Sequence, residues 1–393
     1  MAGRFLSLFK PLSRFMPEIA PPKRKIGFNE KLFWTAMALI LYLVMSEVPL
    51  YGIGRQENDP LAYLRMIFAS NRGTLMELGI GPIVTAGLIL QLLVGSRIIG
   101  CDMSNPDDRS LFTTANKFFS ILMTGVQATA YIIGGVYGNL GDLPSGAPLI
   151  IFFELLFGGI IVMLLDELLQ KGWGIGSGIS LFIMAGVAQQ IFWESFNPLI
   201  MGDGYTYGAI VASLQTIIKG DSLLNILLRS GYPSMLGFIT TIVVFIIVIY
   251  VEGVRVELPV AHAQYRGFRG RYPIKLLYVS NLPVIFASAL FANIYFISQL
   301  LWSTAGQPQP GTNFWLDLLG QFEVRTPEGS TESQIVPVGG LASFVTAPRD
   351  IGNVVADPLR ALGFAGIMIA FCIVFSLTWL EVGGLGPSTV AKQ

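Results

Sequence analysis

The sequence is short of the residues on which most site chemistry rests. It holds two cysteines and one histidine in 393 residues. Cys101 and Cys372 fall in a connecting loop and inside an apolar run, so no disulfide framework is expected. His262 has no histidine, cysteine or carboxylate at ligand spacing, so neither a metal nor another cofactor is expected. Charge is scarce as well: Asp, Glu, Lys and Arg make up 13% of the chain, against about 25% in a soluble domain. That excludes the charged shell a soluble globule would need. The glycine series Gly172, Gly174, Gly176 and Gly178 lacks the preceding strand of a dinucleotide loop. The paired carboxylates Asp166 and Glu167 sit at the edge of an apolar run, where solvation is the simplest expectation. No enzyme is indicated.

What is present instead is hydrophobic length. Over half the residues are hydrophobic, 53%, and they come in uninterrupted runs at about 32–50, 77–99, 117–137, 148–169, 175–193, 235–254, 276–302 and 359–380. Each is long enough to cross a hydrocarbon layer of about 30 Å as a helix. Backbone polar groups in lipid must pair within their own segment, and the runs do not alternate, so helices are expected rather than barrel strands. The expected fold is an all-α, polytopic membrane helix bundle. About two-thirds of the Lys and Arg fall on the side of the N-terminus, which predicts that the tail 1–31, the loop 252–275 and the end 381–393 are cytoplasmic. The loops 194–234 and 303–358 are then external. Phe5, Leu6, Leu8, Phe9, Leu12 and Phe15, with Lys10 and Arg14, suggest a short helix in the cytoplasmic interface.

Two apolar runs begin oddly. The stretch Asn71 to Gly95 passes through Gly79-Ile80-Gly81-Pro82, and Lys171 to Val187 passes through Gly174-Ile175-Gly176-Ser177-Gly178-Ile179. Ile80 and Val84 are four apart, as are Ile175 and Ile179, so each pair is expected on one helix face. Glycine permits close backbone approach, so the two helices could bring these pairs to one narrow, aliphatic constriction that holds no stable water. Upstream, Asp59-Pro60 to Gly73 reads as a short helix. It is either a plug for that constriction or an external interfacial helix. Mid-span ionisable residues are few. The neutral polar residues Thr85, Gln91, Gln127, Ser180, Asn281, Asn293 and Gln299 each suffice for interhelical hydrogen bonds. The competing class is an ion-coupled secondary transporter with broken helices.

The runs ASNRGTLMELGIGPIVTAGLILQLL, LLDELLQKGWGIGSGISLFI, YRGFRGRYPIKLLYVSNLPVIFASALFANIYFISQ and TWLEVGGLGPSTVAKQ are where the chain becomes recognisable: it resembles the SecY family in its archaeal and eukaryotic branches. The resemblance implies a passive channel for unfolded polypeptides that also releases apolar segments sideways into lipid. It implies two inverted halves of five spans, of which this chain would supply 32–193 and, in 235–380, three of the second five. It implies a pore ring of Ile80, Val84, Ile175, Ile179 and Ile285. It implies a plug at about 60–71 including Pro60, Leu61, Leu64, Ile67 and Phe68, and a lateral-gate polar cluster of Thr85, Gln127 and Asn293. The basic loop would dock ribosomes or other cytoplasmic translocation partners through Arg266 and Lys275. Read from its residues alone, that loop, with Arg255, Arg266, Arg269, Arg271 and Lys275, suits the phosphates of ribosomal RNA, and equally anionic lipid or ordinary positive-inside bias. Implied partners are the SecE/gamma and SecG/beta subunits, signal peptides, nascent chains and membrane lipid. The setting is an archaeal cell membrane, with the endoplasmic reticulum as alternative.

Overall fold

The computed structural model describes the chain apart from residues 1–3, 54–64, 66, 97, 102–104, 135–136, 138–143, 145, 201–203, 221–226, 228, 230–231, 262–268, 278, 280, 307, 309–310, 326–333, 349–350 and 383–393. In chain order the helices are α1 (Arg4–Ser7), α2 (Phe28–Glu47), α3 (Gly81–Gly95), α4 (Pro106–Ile133), α5 (Ala147–Leu168), α6 (Gly178–Phe196), α7 (Ala209–Lys219) and α8 (Met235–Gly253). Strands β1 (Arg255–Ala261) and β2 (Arg269–Lys275) follow, then α9 (Leu282–Thr304), α10 (Phe314–Leu319), β3 (Gln321–Arg325), β4 (Gln334–Gly339), α11 (Gly340–Phe344), α12 (Ile351–Ala356) and α13 (Pro358–Val382). The helical bundle is as expected. The two antiparallel ribbons, β1 with β2 and β3 with β4, are not anticipated by an all-α reading, because they lie in connections whose alternation is short and broken by proline.

Among the described residues, six helices are long and apolar enough to cross a membrane: Phe28–Glu47, Ala147–Trp173, Gly178–Phe196, Met235–Gly253, Leu282–Thr304 and Pro358–Leu380. The other two expected spans differ for separate reasons. The run expected at 77–99 becomes helical only at Gly81, giving 15 residues and a length of ~22 Å. Before it the chain makes tight turns through Gly73 and Gly79, both at positive φ, and Pro82 occupies the first turn of the helix, where its missing N–H costs nothing. Helix α4 is long enough, at 28 residues, but its apolar part is diluted by Asn116, Lys117, Ser120, Thr124, Gln127 and Thr129. Its start is set by Asn105, whose side chain accepts a hydrogen bond from the Asp107 amide at 3.0 Å.

The chain divides into two compact units, Met1–Ala185 with Asn281–Gln393, and Gly186–Ser280. In the first, α3 packs against α4, α9 and α13. The main core joins Tyr42 of α2, Phe68, Met76, Ile80 and Val84, Val162 of α5, Phe182 of α6, Ile285 of α9 and Phe375 of α13. The tail forms the short helix α1, Arg4–Ser7. Leu6 and Phe9 are buried among Leu90, Ile99 and Ala115, while Phe15 is exposed. In the second unit α7 packs on α8, and no described residue of α8 is buried.

Candidate functional site

The first glycine mouth is built around one backbone segment. Arg65, Ile67 and Phe68 are helical, and the chain then turns at Ala69, a non-glycine residue at positive φ. Three bonds fix this turn. The Tyr42 hydroxyl donates to the Ala69 carbonyl at 3.2 Å, Asn71 Nδ2 donates to the Ser46 carbonyl at 3.2 Å, and the Ile80 N–H donates to the Phe68 carbonyl at 2.9 Å. Gly79 makes room for it: at φ +53, a Cβ there would collide with the Phe68 carbonyl oxygen and lie 2.9 Å from Ser70. The glycine therefore admits the backbone of the expected plug, not a second membrane helix. Of the plug residues, Phe68 is in the main core and Ile67 is partly exposed; Pro60, Leu61 and Leu64 lie outside the described residues.

Beside this turn lies an ion pair that sequence reasoning missed. Arg65 and Glu77 meet at 2.7 Å with side chains 10% and 0% exposed. The other Glu77 oxygen accepts the Gly73 N–H, and Arg65 also donates to the Glu77 carbonyl at 3.3 Å. A carboxylate at a membrane-helix mouth with an arginine twelve residues upstream was the available signal. Its meaning depended on a turn, 69–80, that no periodicity reveals.

The expected pore-ring residues are only partly brought together. Ile80, Val84 and Ile285 are buried in the main core, and Ile179 packs against it. Ile175 stands apart, 39% exposed. The expectation that Ile175 and Ile179 share a helix face is corrected: α6 starts at Gly178, and Ile175 lies in the turn before it, between extended Gly174 and Gly176 at positive φ. There its N–H donates to the Thr35 hydroxyl at 3.0 Å.

At this second mouth the close approach is made by a carboxylate. A Cβ on Gly178 would stand 2.6 Å from Asp166 Cα and 2.7 Å from its Oδ1. Asp166 Oδ1 accepts the Ile179 N–H at 3.0 Å, capping α6 from the preceding span, and Gln170 holds both carboxylate oxygens. Glu167 is bound by Lys117 at 2.6 Å and by Lys171 at 2.9 Å. Both carboxylates are buried, so solvation does not explain them. Lys171 also pairs with Glu18 at 2.6 Å, and Trp173 Nε1 donates to the Ala20 carbonyl at 2.9 Å. The Lys171 ammonium lowers the Glu18 pKa below its ordinary value, chiefly through that hydrogen bond.

The three neutral polar residues meet. Asn293 of α9 donates from Nδ2 to the Thr85 hydroxyl of α3 at 3.1 Å, and to the Ala289 carbonyl at 2.7 Å. Gln127 of α4 donates from Nε2 to Asn293 Oδ1 at 3.3 Å. They line a cavity of about 40 Å³ with Arg65, Phe68 and Glu77, so the triad and the turn at Ala69 border one space. In the basic hairpin, the register pairs Arg255 with Lys275, Arg271 with Pro259 and Arg269 with Ala261. Positions 255, 269, 271 and 275 therefore fall on one face of the ribbon. Lys275 pairs with Glu252 at 3.4 Å; Arg266 lies outside the described residues.

A multi-pass helical bundle with a buried aliphatic cluster, a backbone segment seated in it and a polar bridge across three helices is a membrane channel subunit rather than a catalyst. A family model described as SecY matches residues 74–393, and one described as the plug domain of Sec61p matches 40–73. The chain belongs to the SecY family. It is 44% identical over its whole length to the protein transport protein SEC61 subunit alpha of Debaryomyces hansenii, of which it spans 82%. It is likewise 44% identical to the Dictyostelium discoideum Sec61 subunit alpha, again spanning 82%. The structure of canine Sec61 in a ribosome-channel complex from the endoplasmic reticulum matches with a TM-score of 0.74 at 37% identity, covering 98% of this chain and 80% of that one. A protein conducting channel matches at 0.73 and 37%, covering 94% and 77%. The chain is thus a pore-forming subunit of a protein translocation channel and not an enzyme, which sets aside the ion-coupled transporter.

Proposed function

We propose that Ile80, Val84, Ile179 and Ile285, with Ile175 at the rim, form the aliphatic constriction through which unfolded chains pass. The segment at about 60–71 closes it at rest, and Thr85, Gln127 and Asn293 latch the lateral gate. The observation that carries this reading is the seating of the Phe68 backbone on Gly79 and Ile80, beside the cavity lined by the polar triad. Interhelical hydrogen bonds of this kind contribute about 0.6 kcal/mol each. The latch is therefore weak enough for an apolar signal segment, which gains more by entering lipid, to open it.

The same reading gives the chain its partners: SecE/gamma and SecG/beta subunits, signal peptides and nascent chains, and a ribosome bound at the hairpin through Arg255, Arg269, Arg271 and Lys275 together with Arg266. The named Sec61 relatives, and the canine complex from the endoplasmic reticulum, favour that membrane over an archaeal one. The basic bias favours a cytoplasmic N-terminus.

The test is ion leak from proteoliposomes containing the channel complex. Ile80→Asn puts a polar group into the seal and raises potassium efflux well above the unsubstituted channel; no ion-gradient-coupled uptake of small solutes accompanies it. Unchanged efflux would sink the constriction.

A further inference from the structure

Helix α7, in the connection between spans α6 and α8, is turned inside out for a helix in water. Its buried residues are the small ones, Ala209, Ala212, Ser213 and Thr216, spaced to form one stripe. The two hydroxyls are satisfied within the helix, Ser213 donating to the Ala209 carbonyl at 2.6 Å and Thr216 to the Ala212 carbonyl at 2.8 Å. The large aliphatic residues face outward: Leu214 is 56% exposed, Ile217 62% and Ile218 84%. A globular protein places these residues the other way round.

The position of the helix says what covers that face. Its N-terminal end is stapled to the end of span α6. The Tyr207 N–H donates to the Leu199 carbonyl at 2.8 Å and the Gly208 N–H to the Asn197 carbonyl at 3.0 Å. Gly208 approaches so closely that a Cβ would lie 2.8 Å from the Ser195 carbonyl oxygen. The helix also packs on α8, an apolar span with none of its residues buried. Both anchors hold α7 at the level where the spans leave the hydrocarbon. The span end beside it exposes Trp193 and Phe196, the aromatic type that settles at that depth. At the other end of α7, the Lys219 ammonium sits 4.2 Å from the centre of the Tyr205 ring. The exposed stripe is aliphatic, without the arginine and aromatic anchors that mark a protein-docking surface.

We infer that α7 is an interfacial helix, with Leu214, Ile217 and Ile218 immersed among the upper acyl chains of the bilayer on its side of the membrane, and that it floats the α6–α8 connection on lipid.

The test uses the full chain in phosphatidylcholine proteoliposomes, with Cys101→Ser and Cys372→Ser, and Leu214→Cys, Ile217→Cys or Ile218→Cys labelled with an environment-sensitive fluorophore. All three positions are exposed, so the label need not disturb packing. The expected result is a blue-shifted emission at each site and a loss of intensity with bromolipids, greater for bromines near the carbonyl end of the acyl chain than for those near its middle. Quenching by aqueous iodide with no bromolipid effect would place the helix in water and overturn the inference. Resistance to both quenchers would mean that protein covers the face, and would overturn it as well.

Discussion

The two glycine-rich mouths look alike in sequence and do different work. Both place an isoleucine between glycines ahead of an apolar helix. At the first, Gly79 sits at positive φ under the Phe68 carbonyl, and Ile80 is fully buried. At the second, Gly178 receives the Asp166 carboxylate, and Ile175 is left 39% exposed while Ile179 alone reaches the main core. The first mouth is a seat for another segment of chain; the second is a capped junction between two successive spans. What distinguishes them is not the glycine but the group each glycine admits.

The sharpest way to break the first mouth is Glu77→Ala. It leaves the Arg65 guanidinium in a pocket where its side chain is 10% exposed, a loss of about 3–5 kcal/mol for a buried pair deprived of one partner. The expected outcome is a plug turn released from its seat, read as a large rise in ion leak together with a lower unfolding midpoint in detergent. Gly79→Ala acts on the same seat through the backbone. A left-handed residue with a side chain costs about 1–3 kcal/mol, and the added Cβ also meets the Phe68 carbonyl. Leak should rise in this variant too, but less than for Glu77→Ala. At the second mouth Asp166→Ala removes the cap on α6, about 1 kcal/mol. It should lower the unfolding midpoint slightly and leave ion leak unchanged. Equal leak from the Gly79 and Asp166 variants would erase the distinction between the two mouths.

The bundle was legible because apolar length is a local property: each expected span has its helix, and only α3 is shortened, by turns whose cause is Gly79. The polar triad became legible through family likeness, since Thr85 and Asn293 are 208 positions apart in sequence and no periodicity links them. Ile175 was misplaced for the opposite reason. A four-residue spacing implies a shared face only inside a helix, and the positive φ of Gly172 and Gly176 delays that helix until Gly178. The ion pairs Arg65–Glu77 and Lys117–Glu167 escaped notice because each carboxylate was judged by its place along a span, whereas its burial is set by the segment folded over it.

The second mouth also carries a smaller, pH-dependent contact. Glu18 of the tail reaches Lys171, and that hydrogen bond holds its carboxyl below the ordinary carboxylate range. A carboxyl depressed on folding adds stability above its unfolded pKa and loses it as the pH falls through the depressed folded value. The Lys171–Glu18 contact is therefore intact at neutral pH and dissolves only in acid, below the normal titration range of a glutamate. Because the Glu18 side chain is 63% exposed, solvent screens the pair and global stability should hardly move. Mobility of a spin label near residue 18 should rise as the pH is lowered through that acidic range, and Glu18→Gln should show the raised mobility already at neutral pH. Since Trp173 still donates to the Ala20 carbonyl, the tail in that variant stays docked at Ala20 and loosens only on the Glu18 side. A label near Ala20 that becomes equally mobile would show instead that the ion pair holds the whole tail against the second mouth.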